Sequence, residues 1–413
     1  NGAALPHRVA MTATDQLSSD RQSKRFLYLY ALAVSGGSVA YVPFLTILLP
    51  NQATMLHGKA ALELLAHTAF AGAITASIAN ILFGWASDNT RSRRPWIAGG
   101  LFLSCIMLPL MPLATDATML IFMIACWQFG LNMMLAPLAA WAGDTVPDAQ
   151  KGFLGGLLAF APALGAISGA LITFPGLASD SGRLAIVSAL VILMVSPALI
   201  VGRPKKMPHL LGKVQKQDAT YPQPEYNRSA VAQMWSARLL VQIAEASLFA
   251  FLLLWFRSID PEFADNDAAT IFATVLCAAV ILALLIGRWS DHSNRPILPL
   301  TICALVASTG LIVMAISTTL FAGIGGYFIF GLASTVFLSL HASRTLGVLP
   351  APATRGRDLG YFNLTNTVPS IIMPWITLAM VPVYGFNMLF LLLAILSACA
   401  AILLAKMPRR PAG

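Results

Sequence analysis

The chain has 413 residues, 57% hydrophobic and only 10% charged, with a mean hydropathy of +0.75. A soluble domain carries about 25% charged residues, and one compact core cannot bury so many long apolar runs, so a soluble globular protein is excluded. The net charge of +9 does not point to nucleic acid, because the basic residues sit in short loops between the apolar runs.

Those runs are continuous, as helices crossing a bilayer require, and not the short alternating segments of a membrane barrel. Residues 1–10 precede Met11 without a signal-peptide pattern, and the tail to residue 25 ends in Arg21, Lys24 and Arg25. Spans are expected at about 26–50, 62–85, 96–113, 117–142, 153–174 and 184–201. Residues 203–230 form a polar linker with six basic residues and several prolines. Six more spans are expected at about 232–256, 268–287, 297–316, 320–340, 359–381 and 386–405, before a basic tail of 406–413. Gly36, Gly37 and Pro43 predict close contact and a bend in span 1. Cys105, Cys126, Cys277, Cys303 and Cys399 all lie in apolar runs, as small hydrophobes do, without metal-ligand spacing.

Two hairpins duplicate each other. Gly84-Trp-Ala-Ser-Asp88-Asn-Thr-Arg91-Ser92-Arg93-Arg94-Pro95 follows span 2, and Gly287-Arg-Trp-Ser-Asp291-His-Ser-Asn-Arg295-Pro296 follows span 8. Gly84 to Gly287, Asp88 to Asp291 and Pro147 to Pro350 are each 203 residues apart. The chain is thus expected to be an all-α membrane protein of two pseudo-symmetric six-helix bundles, 26–202 and 231–405. With both ends on the cytoplasmic side, 23 of 26 basic residues fall on that side; only Lys59, Arg183 and Arg257 do not. This is a strong positive-inside bias.

The first hairpin and its copy resemble the loop signature of the major facilitator superfamily, with Ser92 where that signature carries glycine. The segment from Pro350 through Arg355, Asp358, Asn363 and Asn366 to Pro369 is more loosely similar to cation-coupled sugar symporters of the sucrose and melibiose-permease type. The resemblance implies twelve helices, a cavity between the bundles and alternating access. Sugar symporters of this type often carry an acid in span 1, and this chain has none there.

Polar residues inside spans are costly and mark the candidate site. Glu245 lies near the middle of span 7 with Gln242 one turn earlier. It is the candidate cation-coupling group, either as a proton carrier or as the partner of a cationic cargo; packing is the alternative. Arg238, two turns away, is its candidate partner or a side chain reaching the interface. Trp127, Gln128 and Asn132 on span 4 suit a polar cargo, or hydrogen bonds between helices. His67 and Asn80 on span 2 and Tyr361, Asn363 and Asn366 on span 11 complete the cargo candidates. Asp88, Arg91, Arg93, Arg94, Asp144, Asp291, Arg295, Arg344, Arg355 and Asp358 are candidate gating residues: the Asp88 hairpin is a candidate latch that holds the halves together and breaks during turnover, with Arg344 and Asp358 as a second, and the alternative is that the hairpin arginines only enforce topology.

No phosphate-binding loop supports ATP driving, and no metal site or catalytic constellation is evident. The expectation is a non-enzymatic secondary transporter of a small polar solute in a bacterial cytoplasmic membrane, in contact with lipids, monomeric, without a cofactor and driven by the proton gradient. A sugar or glycoside is the favoured cargo. Export of amphipathic or cationic compounds, uncoupled facilitation, and a non-transporting receptor are the alternatives.

Overall fold

The computed structural model describes residues 21–205, 207, 228–292, 297–348 and 355–407, without the side chains of 148, 228, 291, 343–348 and 355–363. The described residues are helical throughout their length apart from short connections, with no strand among them. The helices are α1 (Lys24–Pro43), α2 (Leu49–His57), α3 (Ala61–Asn89), α4 (Arg94–Leu110), α5 (Ala117–Thr145), α6 (Asp148–Leu158), α7 (Ala161–Ile172), α8 (Asp180–Ile200), α9 (Arg228–Ile259), α10 (Asp265–His292), α11 (Leu298–Ile316), α12 (Leu320–Val348) and α13 (Arg355–Ala405).

Among the described residues, ten helical runs are long and apolar enough to cross a membrane. Two of them, of 66 and 42 residues, exceed what one crossing uses, since about 20 helical residues span the hydrocarbon. The first is interrupted at Gly58 (φ 49°), the second at Gly385 (φ 75°, ψ 173°). Counting each as two gives twelve crossings.

Span 1 is longer than its apolar run suggests. It comprises α1, a π-helical turn at Phe44–Leu48, and α2. The turn begins at Pro43, whose missing N–H and bulky ring disturb the helical ladder. Thr46 Oγ1 donates back to the carbonyl of Val42 at 2.7 Å. Span 5 is likewise divided, into α6 and α7, just before Pro162.

Helix ends show local capping. Ser23, Asp116 and Ser179 are in extended conformation, and their side-chain oxygens accept the N–H groups of Phe26, Met119 and Gly182. The two halves also share a packing device. At the α4–α5 crossing, a Cβ on Gly100 would lie 2.7 Å from the carbonyl oxygen of Gly130. At the α11–α12 crossing, a Cβ on Gly310 would lie 2.8 Å from that of Gly326. Only glycine lets these backbones approach so closely, the usual means of association where lipid removes the hydrophobic drive between helices.

The apolar core is distributed in three clusters. One fills the first half around Tyr30, Trp127 and Trp141; another fills the second half around Met234, Phe337 and Leu404. The third bridges the seam, joining Val42, Ile47, Ala163 and Ala166 of the first half to Leu248, Trp255, Phe272 and Phe330 of the second. At the seam, α3 packs on α13, α7 on α10, and the π turn on α9.

The candidate transport site

The charged hairpin is built around Arg93. Its guanidinium meets Asp88 at 2.5 Å and Asp144 at 2.8 Å, and donates to Ser87 Oγ at 2.7 Å. Burial pulls Arg93 down, but the hydrogen bonds and charges of Asp144 and Asp88 outweigh it and hold it above its ordinary value. Arg94 donates to the carbonyl of Gly202 and lies 5.5 Å from the centre of the Trp141 ring, a cation–π contact. Arg91 is exposed, with φ at 49°, in the left-handed region. This corrects the expectation of a latch between halves: the observed pairs tie α3, α4, α5 and the end of α8 within the first half. On the same face, and also within the first half, Gln22 ties the start of the chain to α6 and to the segment after α8. The Gln22 backbone N–H donates to Gln150 Oε1 at 2.7 Å, and the Gln22 side chain exchanges bonds with the backbone of Lys205 at 2.7 and 3.0 Å.

A polar clamp does cross the seam, at the opposite face. Asp265, at the start of α10, receives Arg183 of α8 at 3.1 Å and Arg257 of α9 at 2.7 Å. Asn51 of α2 donates to Asp265 Oδ2 and accepts from Arg257, both at 3.1 Å. Asn266 adds a bond to the Ala170 carbonyl at 2.8 Å. Asp265 and Asn51 were not candidates in the sequence. The signal that could have found them is that Arg183 and Arg257 break the positive-inside pattern and so need an acid nearby.

Deeper in the second half, Glu245 Oε2 lies 2.6 Å from the hydroxyl of Ser334 on α12. That hydroxyl is also 3.3 Å from the carbonyl of Gly331. A serine has one proton to give. It can give it to an ionised Glu245. If Glu245 is protonated, the carboxyl donates instead and the serine proton turns to Gly331. The pair can therefore be satisfied in both protonation states. Gln242 Oε1 is buried without a hydrogen-bond partner.

Aromatic rings lie beside this pair in a continuous chain. Tyr41 of the first half is 6.3 Å from Phe249, Phe249 is 6.0 Å from Phe272, and Phe272 stacks on Tyr327 at 6.5 Å and 13°. Tyr327 precedes Ser334, the partner of Glu245, by two turns on α12, and Phe249 follows Glu245 by one turn on the same helix face.

Arg238 does not pair with Glu245. It donates to Thr365 Oγ1 at 3.0 Å, Asn366 Oδ1 at 3.2 Å and the Leu338 carbonyl at 3.4 Å. This corrects the expected partnership and fixes Asn366 beside α9. Trp127 is fully buried, edge-on to Phe44 at 4.7 Å. Asn132 donates to Gln128 at 2.9 and 3.3 Å and faces Asn80 at 3.5 Å, so these three amides hold one another within the first half. His67 and Phe70 of α3 meet Trp375 of α13 edge-on across the seam, at 6.0 and 5.0 Å. Arg295 lies outside the described residues. So do the side chains of Asp291, Arg344, Arg355, Asp358, Tyr361 and Asn363.

Residues 234–413 match the Major Facilitator Superfamily. The fold matches a solved structure described as a bacterial homologue of the human lysosomal transporter Spinster, inward-facing and unoccupied. That match has a TM-score of 0.70 at 14% identity and covers 94% of this chain and 100% of the other. No curated protein matches the sequence significantly. The C-terminal part of the chain thus resembles the Major Facilitator Superfamily, and the chain as a whole shares the fold of that solved transporter structure.

Proposed function

We propose that this protein is a proton-coupled secondary transporter of a small organic solute, working by alternating access in a bacterial cytoplasmic membrane with its basic loops inside. The observation that carries the reading is the Glu245–Ser334 contact of 2.6 Å, which accommodates a proton in either state. Carboxyl groups in spans are costly and mark proton or ion paths. The clamp at Asp265 supports a conformer closed on the face away from the basic loops. Asp265 is the group that must release Arg183 and Asn51 when the halves part there.

The sugar reading drew its support from Trp127, Gln128, Asn132 and Asn80. Their mutual contacts serve helix packing as well as they would serve a cargo. A second reading, export of amphipathic or cationic compounds, draws support from the aromatic chain beside Glu245.

The test is solute-induced proton movement in proteoliposomes, with sugars screened beside cationic amphiphiles and Glu245→Gln in parallel. Proton movement that follows one solute class and disappears in the variant is the expected result. Solute flux that ignores the pH gradient and survives the substitution would replace this reading with an uncoupled facilitator.

A further inference from the structure

We propose that the Glu245 cluster is a binding site for an organic ammonium ion, one that carries at least one N–H group and an apolar or aromatic body. This deepens, and rests on, the reading of Glu245 as the coupling group.

The polar groups of the cluster are short of donors. Glu245 has Ser334, and the buried Gln242 oxygen has no partner. The two residues are three apart on α9 and share a face. A buried amide oxygen left unpaired is unfavourable, and a donor supplied by a ligand relieves it. An ammonium N–H suits both acceptors at once. The nearest basic side chain on the same helix, Arg238, is already committed to Thr365, Asn366 and Leu338. No ion pair among the described residues neutralises Glu245, so a cationic ligand has an unclaimed counter-charge.

The rings supply the rest of the site. Tyr41, Phe249, Phe272 and Tyr327 form a succession in which each lies 6.0–6.5 Å from the next. Aromatic faces attract cations within about 6 Å of the ring centre, and they also cover an apolar body. Tyr41 comes from α1 and the other rings from the second half, so the cluster lies at the seam and changes when the halves move apart. A sugar would want paired donors and acceptors around a ring of hydroxyls, which this cluster does not provide. One carboxyl serving both proton and cation implies competition. A cation that binds displaces the proton, which is the logic of exchange.

The experiment is isothermal titration of the full-length protein in lipid nanodiscs, in two buffers of different ionisation enthalpy, which counts protons released. The probes are phenethylammonium, its neutral counterpart phenethyl alcohol, and sucrose. Phenethylammonium is expected to bind at least tenfold more tightly than the alcohol and to release about one proton. Glu245→Gln should reduce its affinity at least tenfold, and Gln242→Leu severalfold. Gln242→Leu keeps the carboxyl, so it reports on the site even if Glu245→Gln impairs folding. Equal binding of alcohol and cation, or binding of sucrose alone, would overturn the proposal. Cation binding without proton release would leave the ammonium site standing and remove the proton-coupling reading. Proton release with sucrose alone would do the reverse.

Discussion

Arg183 and Asp265 come from opposite halves of the molecule and meet at 3.1 Å, each with little exposed side-chain surface. Arg257 reaches the same carboxylate at 2.7 Å. Charge-assisted bonds between partly buried groups contribute about 1.5–3 kcal/mol each. Asp265→Asn keeps the shape but removes the charge that two arginines share. We expect it to shift the conformational equilibrium toward opening at this face by on the order of 2 kcal/mol, about thirtyfold in population. Distances between spin labels placed on α2 and α10 should lengthen in the variant. An unchanged distance distribution would remove Asp265 from the gate.

Arg93 joins Asp88, Asp144 and Ser87 within one half. Its planar guanidinium engages several acceptors at once, which an ammonium cannot reproduce. Arg93→Lys and Arg93→Ala should therefore both lower the thermal midpoint, alanine more, with a loss of about 1–3 kcal/mol for alanine. Because the contacts lie within the first half, the label distances across the seam should change little. A large change there would make this hairpin a gate between halves after all.

The signature glycine Gly84 and the crossing glycine Gly310 should respond oppositely to alanine. A Cβ on Gly84 meets nothing within 4 Å, whereas one on Gly310 would lie 2.5 Å from the backbone nitrogen of Phe330. Gly84→Ala should be neutral or stabilise its helix by up to about 1 kcal/mol. Gly310→Ala should destabilise by about 1–3 kcal/mol through overpacking. Thermal unfolding of the two variants side by side checks the pair.

Ser334→Ala leaves Glu245 without its hydrogen-bonding partner while preserving helix α12. We expect proton-coupled flux to fall by about tenfold, equivalent to about 1.4 kcal/mol. Ser334→Thr, which retains a hydroxyl, should recover part of it. Equal loss in both variants would show a packing role only.

Much of the architecture was legible because lipid imposes simple rules: long apolar runs, a duplicated hairpin and an asymmetric distribution of arginine and lysine. The π turn after Pro43 was legible only as a bend, since the sequence does not say how the helix repairs itself. Side-chain partnerships were harder to read. In a membrane helix the face toward lipid and the face toward protein are both apolar, so rotation leaves little trace in the pattern. That is why Trp127 read as a cargo ligand while it packs on Phe44, and why Arg238 read as a partner of Glu245 while it binds α13. Asp265 left no mark of its own in the sequence, because an acid at a helix start is common and favoured by the helix dipole. Glu245 stood out because one carboxyl in the middle of an apolar run has few bland explanations.

The most direct measurement is infrared difference spectroscopy of the protein in lipid, between low and high pH. The expected result is a carbonyl band of a protonated carboxylic acid that titrates, shifts in Ser334→Ala and is absent in Glu245→Gln. A spectrum unchanged by Glu245→Gln would contradict the claim that this carboxyl carries the coupled proton.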